Sequence, residues 1–333
     1  MIGTDERPIR AARIARQVSP PAMTLLYSDP VFLLHETGHH PERAERLRRV
    51  TAQLAESGLD GRCLRPDWSS ITMDRLARIH EPHYAAEVAA FAERGGGSIE
   101  ADTLVCPASY GVALRAAGAV CDATIRVVAG EDRQALCLVR PPGHHALRAE
   151  AMGFCLFNNI ALGARTAIAE LDLERVLVVD WDVHHGNGTQ DAFWTDEQVG
   201  FLSIHRWPFY PGTGRADETG GGAALGTTMN LPIEMGISRK AYLDRFRGAL
   251  EDFATRIKPQ LVFISAGFDS HRQDPIGSLG LETEDFAALT QIVLDVADTF
   301  AGGKVVSVLE GGYNTDVLAD AVELHLRVML ERK

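Results

Sequence analysis

Two histidines, His144 and His145, stand side by side directly after Pro-Pro-Gly in the stretch RPPGHH. A second stretch, DWDVHHGNG, places Asp180, Asp182 and His184 at alternate positions. In an extended chain these three side chains point to one face. Aspartate and histidine are good ligands for Zn²⁺, so Asp182 and His184 predict a metal site. The alternative interpretation is that the second stretch only caps the helix that follows it.

Asp269, in the stretch AGFD, is the candidate for a third ligand because it directly follows another strand-like run. Two carboxylates would neutralise the charge of a divalent ion. Three protein ligands leave one coordination position open, which is typical of catalytic rather than structural zinc sites. The pattern therefore favours a catalytic metal centre built from histidine and carboxylates.

The adjacent histidines are candidates for the acid and base that such a centre needs. An imidazole that faces a carboxylate such as Asp180 is held in its charged form and in one tautomer. An imidazole that faces a neutral amide such as Asn187 stays closer to a free imidazole, which suits a base that later acts as an acid. Most adjacent histidine pairs are only structural, and we interpret His39–His40 and His185 in that way.

Three aromatic residues in glycine-rich or proline-rich loops complete the set of candidates. Tyr313 follows two glycines in LEGGY, where its hydroxyl can bind a polarised carbonyl and stabilise an oxyanion. Phe154 in GFC and Tyr210 in FYPGTG can form the walls of a narrow channel. The alternative for all three is ordinary packing, and a buried tyrosine more commonly donates to the backbone.

The candidate residues follow short apolar runs, which predict strands buried on both faces of a parallel sheet. The predicted strands span 135–139, 175–180, 199–205, 259–267 and 304–312, and the predicted helices span 109–129, 158–171, 238–257 and 283–301. Asn158 and Ser238 are the expected N-caps of two helices. The alternation predicts a doubly wound α/β domain, in which ligands bind beyond the carboxyl ends of the strands.

The composition excludes several classes of protein. The 333 residues carry a formal net charge of −12, and no basic face indicates binding to nucleic acid. No apolar run is long enough to span a bilayer. Five scattered cysteines without a CxxC pair indicate a reducing compartment, which we predict to be the cytoplasm. The glycine-rich stretch 219–227 lacks the context of a dinucleotide site and is predicted to be a surface loop.

Residues 1–22 differ from the rest of the chain. They contain four arginines at a spacing of three, followed by Ser-Pro-Pro. We predict a flexible N-terminal tail, with an amphipathic basic helix or a transit-like segment as the alternatives. Residues 24–333 are predicted to form one catalytic domain. The sequence contains no surface helix distinctive enough to predict an oligomer.

The motifs RPPGHH, GFCLFNN, DWDVHHGNGTQ, FYPGTG, AGFD and LEGGY, together with HPERAERL nearer the start, extend over most of the chain. In this order they resemble the histone deacetylase family, including its bacterial histone deacetylase-like amidohydrolases and the related acetylpolyamine amidohydrolases. The resemblance implies the arginase–deacetylase fold, a single α/β domain around a parallel sheet of eight strands flanked by helices. It also implies the metal-dependent hydrolysis of an acetylated amine.

The resemblance further implies a role for each matching residue. Asp182, His184 and Asp269 would bind one Zn²⁺ per chain, with Fe²⁺ as the alternative. His145 would be the general base and acid, His144 with Asp180 its electrostatic partner, and Tyr313 the residue that polarises the carbonyl. The remaining implied positions are Gly153, Phe154, Tyr210, Ile276 and Gly312 for substrate, Arg46 for acetate release, and Asp180, Asp182, His184, Ser203 and Ile204 for a structural K⁺.

Four positions refine this resemblance. Asn187 stands where class I enzymes carry a second buried aspartate, so the chain looks class II-like. Tyr313 stands where a weakly active subgroup has histidine, which predicts an active enzyme. Tyr210 replaces a phenylalanine of the tunnel wall and adds a polar group there. Ile276 occupies the rim position where a polyamine-selective relative carries glutamate, which argues modestly against polyamine selectivity.

The leading hypothesis is therefore a zinc-dependent deacetylase of acetyl-lysine in proteins or peptides. The closest alternative is an amidohydrolase of acetylated polyamines or of another small acetylated amine. A catalytically silent acyl-lysine binder would not need His145, Tyr313 and three ligands together. An arginase-like ureohydrolase would need more carboxylates for two metal ions, so a metal content of about one ion per chain or two would separate these hypotheses.

Overall fold

A computed structural model describes residues 23–332. The predicted flexible tail at residues 1–22 lies outside the described residues. The chain alternates strands and helices, as the apolar runs predicted. No helix within the described part is long and apolar enough to cross a membrane.

A parallel sheet forms the centre of the molecule. The strands of the described chain are β1 (Leu25–Tyr27), β2 (Gly97–Ser98), β3 (Leu104–Val105), β4 (Gln134–Cys137), β5 (Val176–Asp180), β6 (Val199–Arg206), β7 (Thr228–Ile233), β8 (Val262–Ala266) and β9 (Val305–Leu309). Seven of them form the sheet in the order β1-β4-β9-β8-β5-β6-β7, and every neighbouring pair is parallel. The short strands β2 and β3 form a separate antiparallel pair.

The expected count of eight strands was wrong, since the parallel sheet has seven in the described residues. The eighth position, beside β1, holds only a single parallel bridge between Leu25 and Leu64. The backbone of Leu64 accepts from Leu26 at 2.8 Å and donates to Thr24 at 3.1 Å. To extend this ladder, residue 66 would have to donate the next backbone hydrogen bond. Residue 66 is a proline and has no N–H group, so pairing stops after one residue.

Helices flank the sheet. The α-helices of the described chain are α1 (Glu45–Glu56), α2 (Met73–Leu76), α3 (Pro82–Glu93), α4 (Ser109–Ala129), α5 (Asn159–Glu170), α6 (Asn187–Phe193), α7 (Arg239–Ile257), α8 (Thr283–Phe300) and α9 (Thr315–Glu331). Helices α4 and α5 pack together, while α1, α9, α8 and α7 pack in succession. Because helices cover the sheet, every residue of β5, β8 and β9 is buried.

The four predicted helices correspond to α4, α5, α7 and α8, with ends within one residue of the prediction. The predicted caps are also present. The side chain of Asn158 accepts from the backbone N–H of Ala161 at 3.0 Å, and that of Ser238 accepts from Ala241 at 3.2 Å. Helix α4 ends at Gly130, whose φ of 80° is the left-handed conformation that glycine favours at a helix C-terminus.

The glycine-rich stretch 219–227 is irregular except for one 3₁₀ turn, Gly222–Ala224. The predicted strands 259–267 and 304–312 are shorter in the structure, since β8 begins three residues later than predicted and β9 ends three residues earlier, and loops follow both strands. These loops leave the carboxyl edge of the sheet at β4, β9, β8, β5 and β6, which are consecutive neighbours. The sheet order thus brings all the predicted site segments to one edge.

Candidate active site at the carboxyl edge of the sheet

Three buried side chains converge where β5 and β8 end. Asp182 and His184 follow β5, Asp269 follows β8, and one ligand atom from each lies within 4.8 Å of the others. The Nδ1 atom of His184 lies 2.9 Å from Asp182 Oδ1 and 3.2 Å from Asp269 Oδ2. The structure therefore brings together the three residues predicted as metal ligands.

The backbone fixes these carboxylates from outside the cluster. Asp182 Oδ2 accepts from the N–H of Gly311 at 2.8 Å, and Asp269 Oδ1 accepts from the N–H of Val183 at 2.9 Å. Asp269 Oδ2 is buried, and His184 Nδ1 approaches it at 3.2 Å without forming a well-aligned hydrogen bond. Buried polar atoms are normally paired, so this oxygen faces a position that suits a cation.

The electrostatics of the cluster also fit a cation. Burial and the neighbouring Asp182 raise the pKa of Asp269, because two close carboxylates resist being charged together. No lysine or arginine of the described chain forms an ion pair with Asp180, Asp182 or Asp269. A divalent ion with oxygen and nitrogen ligands would compensate these charges.

Glycines allow the neighbouring loops to approach the cluster. A side-chain carbon at Gly267 would collide with the carboxylate of Asp182, and one at Gly311 would collide with Asp269. The glycines in AGFD and LEGGY are thus required by close packing against the candidate ligands. This steric role was not predicted, although both glycines were visible in the motifs.

The two adjacent histidines have different partners. His144 Nδ1 lies 2.9 Å from Asp180 Oδ2, whereas His145 Nδ1 lies 2.7 Å from the amide oxygen of Asn187. The amide nitrogen of Asn187 is directed to the backbone oxygen of His145 and to Met152 Sδ. Because an amide oxygen only accepts, His145 carries its proton on Nδ1 and leaves the lone pair of Nε2 available.

These partners separate the pKa values of the two rings. Burial lowers the pKa of His144, but Asp180, Asp182 and Glu310 outweigh it and raise the value to about 10. Burial and the neighbouring His144 and His184 lower the pKa of His145 well below its ordinary value. The pair therefore contains one charged imidazole and one neutral imidazole, which is the division of roles that an electrostatic partner and a base require.

Tyr313 lies in the loop after β9. Its ring packs edge-on against Phe154 at 5.6 Å between centroids, and the guanidinium of Arg46 lies 5.2 Å from its ring centre. Burial and the negative charge of Asp269 raise the pKa of Tyr313 above its ordinary value, so the phenol remains a hydrogen-bond donor. Arg46 itself is fully buried and donates to the backbone oxygen of Gly312 at 2.7 Å.

Aromatic rings enclose the space above the cluster. Tyr210 stands edge-on to His145 at 5.3 Å, and Phe209 stacks on His184 at 5.2 Å. Phe154 adopts a positive φ of 69°, and a side-chain carbon at the preceding Gly153 would collide with the ring of His145. Ile276 is 37 % exposed. Tyr210 and Gly153 thus lie against His145, and Phe154 lies against Tyr313.

The residues implied for K⁺ lie beside the same cluster. Asp180 and Ser203 are register partners at the ends of β5 and β6, and both are fully buried, as is Ile204. Ser203 Oγ lies 2.9 Å from Nδ1 of His205. His185, which we interpreted as structural, contacts Thr213 and Gln190.

Sequence reasoning missed several residues that support the site. Phe209 stacks on a candidate ligand, and Asp274 accepts from the backbone N–H groups of Tyr313, Ile276 and Gly277. Its position in QDPIG, directly before proline, was the available signal. Glu42 is fully buried and pairs with Arg46 and Arg140. Its lone signal was its place in the HPERAERL segment.

Comparisons with known proteins agree with this geometry. Residues 40–329 match the histone deacetylase domain. The chain is 38 % identical over 276 residues to the histone deacetylase-like amidohydrolase of Pseudomonas aeruginosa, which covers 83 % of this chain and 73 % of that protein. It is 38 % identical over 322 residues to the human polyamine deacetylase HDAC10, with 93 % of this chain but 46 % of the human protein covered.

The solved structures extend the comparison to the fold. The crystal structure of the HDA15 HD domain has a TM-score of 0.89 and 37 % identity to this chain, with 93 % of this chain and 89 % of that domain covered. The sheet, the strand exits and the carboxylate–histidine cluster thus occur in a chain that belongs to the histone deacetylase family of amidohydrolases.

Proposed function

We propose that the protein is a zinc-dependent deacetylase that hydrolyses the acetyl amide of lysine side chains in proteins or peptides. One observation carries the proposal: a buried Asp-His-Asp cluster, whose ligand atoms lie within 4.8 Å of one another, stands next to His145, whose Nδ1 is held by Asn187 and whose Nε2 makes no hydrogen bond within the described chain. Membership of the histone deacetylase family supports an amidohydrolase activity. The arrangement of the side chains supports the role proposed below for each residue.

Asp182, His184 and Asp269 would hold the metal ion, one per chain. We propose Zn²⁺, with Fe²⁺ as the alternative, because both accept carboxylate and imidazole ligands. When bound, the ion supplies Lewis acidity that polarises the substrate carbonyl and acidifies water. Five residues beside it, Asp180, Asp182, His184, Ser203 and Ile204, would hold a structural K⁺ through carboxylate, hydroxyl and main-chain oxygens.

His145 would take a proton from the attacking water on Nε2 and deliver it to the leaving amine. Asn187 would keep the other ring nitrogen protonated, so that Nε2 is the atom that exchanges the proton. His144, held charged by Asp180, would favour the negative charge that develops on the substrate. Tyr313 would donate its hydroxyl hydrogen to the carbonyl oxygen as that charge forms.

The aromatic walls would hold the aliphatic stem of the acylated amine and exclude water. Phe154 and Tyr210 would flank the stem, Gly153 and Gly312 would allow it close to the backbone, and Ile276 would contact the substrate at the rim. Arg46, buried behind Tyr313, would attract the acetate product toward the interior. A guanidinium binds a carboxylate with paired hydrogen bonds, which suits this role.

A second candidate is the deacetylation of acetylated polyamines. Burial raises the pKa of Tyr210, and the negative charges of Asp102 and Glu100 raise it further. Such groups would attract a second ammonium group of the substrate. The human relative that is named a polyamine deacetylase adds support, while Ile276 at the rim provides no acidic group.

The test is a comparison of kcat/KM for an acetyl-lysine peptide and for acetylspermidine with one zinc-loaded preparation. The proposal predicts a clear preference for the peptide. A strong preference for acetylspermidine would replace it with the second candidate. Absence of turnover of both, with about one metal ion bound per chain, would overturn deacetylation and favour a silent binder.

We further propose that residues 24–333 act as one catalytic domain and that the protein works in the cytoplasm. The scattered cysteines support a reducing compartment. Separation of the soluble and membrane fractions of the source cells, followed by detection of the chain, would test the location.

A further inference from the structure

One buried carboxylate in the site has so far been described only through its charge, which helps to raise the pKa of His144. Glu310 follows β9 directly and is fully buried. Its Oε2 accepts from the backbone N–H of Gly143 at 2.7 Å and from that of His144 at 3.2 Å. Its Oε1 has no hydrogen-bond partner in the described chain. A carboxyl group is costly to bury, so its position needs a reason.

The two hydrogen bonds join two different loops. Gly143 and His144 lie in the loop after β4, and Glu310 opens the loop after β9 that carries Tyr313. Strands β4 and β9 are neighbours in the sheet, but their register pairs end at Cys137 and Val308. Beyond these pairs no strand ladder sets the distance between the loops, and the Glu310 side chain bridges them.

The main chain around Glu310 is also held in place. Its backbone oxygen accepts from Arg46 Nη2, and its backbone N–H donates to Ala266 at 3.0 Å. The Arg46 guanidinium also binds the oxygen of Gly312, two residues later. The backbone of Glu310 is therefore held in place, and its side chain extends to the loop after β4 that carries His144 and His145, here called the histidine loop.

The histidine loop is also held by contacts on its other side. A side-chain carbon at Gly143 would collide with the backbone of Asn159 and Phe157. The Asn159 amide also donates to the backbone oxygen of Pro141 at 3.1 Å. The loop is thus held by packing on one side and by the Glu310 carboxyl group on the other.

We infer that Glu310 is a positioning residue, whose side chain sets the place of the His144–His145 backbone relative to Tyr313 by accepting the N–H groups of Gly143 and His144. The inference rests on the proposed function, because His145 and Tyr313 are the groups whose separation would matter. A displacement of about 1 Å in a catalytic group can cost roughly 100-fold in rate.

The first test compares Glu310→Leu with Glu310→Gln in the zinc-loaded enzyme. Leucine removes the acceptor, so kcat should fall about 100-fold while KM changes by less than about 3-fold. Glutamine keeps an acceptor oxygen of the same reach, so most of the lost rate should return. Gln134→Leu is the matched control, since Gln134 is a buried polar residue at the opposite end of β4 and should leave kcat unchanged.

The second test needs no turnover. In amide ¹H–¹⁵N spectra of the isotope-labelled protein, Glu310→Gln replaces the acceptor of the Gly143 and His144 N–H groups by an amide oxygen. Their proton resonances should move upfield, while Gln134→Leu should leave them in place. This measurement remains decisive if Glu310→Leu fails to fold.

Three results would overturn the inference: an unchanged kcat in Glu310→Leu, a kcat in Glu310→Gln as low as in Glu310→Leu, or Gly143 and His144 resonances that do not respond to either substitution. Failure of the proposed function has a different signature. The wild-type enzyme would then show no turnover of the acetylated substrates, while the amide resonances would still report whether Glu310 holds the loop.

Discussion

Two buried charged clusters lie in this molecule, and they are balanced in opposite ways. The carboxylate cluster consists of Asp180, Asp182, His184 and Asp269. The guanidinium cluster consists of His35, Glu42, Arg46 and Arg140. Every member of both clusters is at most 6 % exposed, so water screens neither of them. The difference between them lies in which charge is in excess.

The carboxylate cluster has three acidic groups and no arginine or lysine partner in the described chain. The guanidinium cluster has one carboxylate, Glu42, bound by two guanidinium groups. Even with the charged His144 beside Asp180, the first cluster has an excess of acidic groups that would suit an added cation, whereas the second has two guanidinium groups for one carboxylate, which would suit an anion such as acetate. Both clusters are buried, so burial alone does not identify a reactive site; the sign of the excess charge indicates which ion each cluster would suit.

The largest effect should come from the base beside the carboxylate cluster. His145→Ala removes the proton acceptor and should lower kcat by about 10²–10⁴-fold, and Tyr313→Phe should cost about 10²–10³-fold. Steady-state kinetics on an acetylated substrate measures both. His39→Ala, at an exposed histidine, is the control. Near-normal turnover in both site variants, with metal retained, would contradict the mechanism.

Glu42→Gln tests whether the guanidinium cluster depends on its one carboxylate. The substitution leaves Arg46 and Arg140 buried without a counter-charge, so the free energy of unfolding should fall by about 3–5 kcal/mol. Chemical denaturation measures the change. Glu45→Gln is the control, because Glu45 pairs with Arg48 at the surface, where such pairs contribute about 0–1 kcal/mol. Equal effects of the two substitutions would show that Arg46 and Arg140 do not depend on the charge of Glu42.

Asp269→Asn tests the opposite property of the carboxylate cluster, its need for an added cation. Loss of one ligand charge should weaken metal affinity by more than about 100-fold, since loss of an outer partner alone typically costs 10–100-fold. Competition with a chelator, followed by metal analysis, measures the affinity. The exposed Asp191 provides the control variant Asp191→Asn. Unchanged zinc content after dialysis would remove Asp269 from the set of ligands.

The smallest expected effect is the loss, at acidic pH, of the stability that the charged Glu42 contributes. Burial raises the pKa of Glu42, but Arg140 and His35 outweigh it and hold the value well below 4.5. A lowered folded-state pKa contributes stability that is present above the unfolded pKa of about 4.3 and is lost as the pH falls through the folded pKa. Within the guanidinium cluster, His35 has a raised pKa, and Arg46 and Arg140 stay charged at acidic pH. Glu42 is therefore the member of the cluster whose protonation changes its stability at acidic pH.

The stability gap between the wild type and Glu42→Gln should therefore narrow below about pH 4.5, by at most about 1.4 kcal/mol per pH unit. Denaturation of both proteins at neutral and at acidic pH measures the gap. A gap that stays constant across this range would mean that Glu42 keeps its ordinary pKa.

Local patterns in the sequence were sufficient to predict most of the secondary structure that positions the site. Continuous apolar runs predicted the central strands β5, β6, β8 and β9, because strands covered on both faces cannot alternate apolar and polar residues. The caps Asn158 and Ser238 were also predictable, since a cap binds a backbone group only three residues away. The edge of the sheet was less predictable, and the single bridge at Leu64 shows why: pairing there depends on one proline.

The sequence by itself determined which residue types stand at the strand exits, and that was sufficient to propose Asp182, His184, Asp269, His144 and His145 as one site. Only the tertiary structure decided their partners. Glu42 and Arg140 are 98 residues apart, and Glu310 and Gly143 are 167 apart. Contacts at such separations leave no period or spacing in the chain. They arise because the sheet order places β4, β9, β8 and β5 side by side, which fixes the charge balance of each cluster.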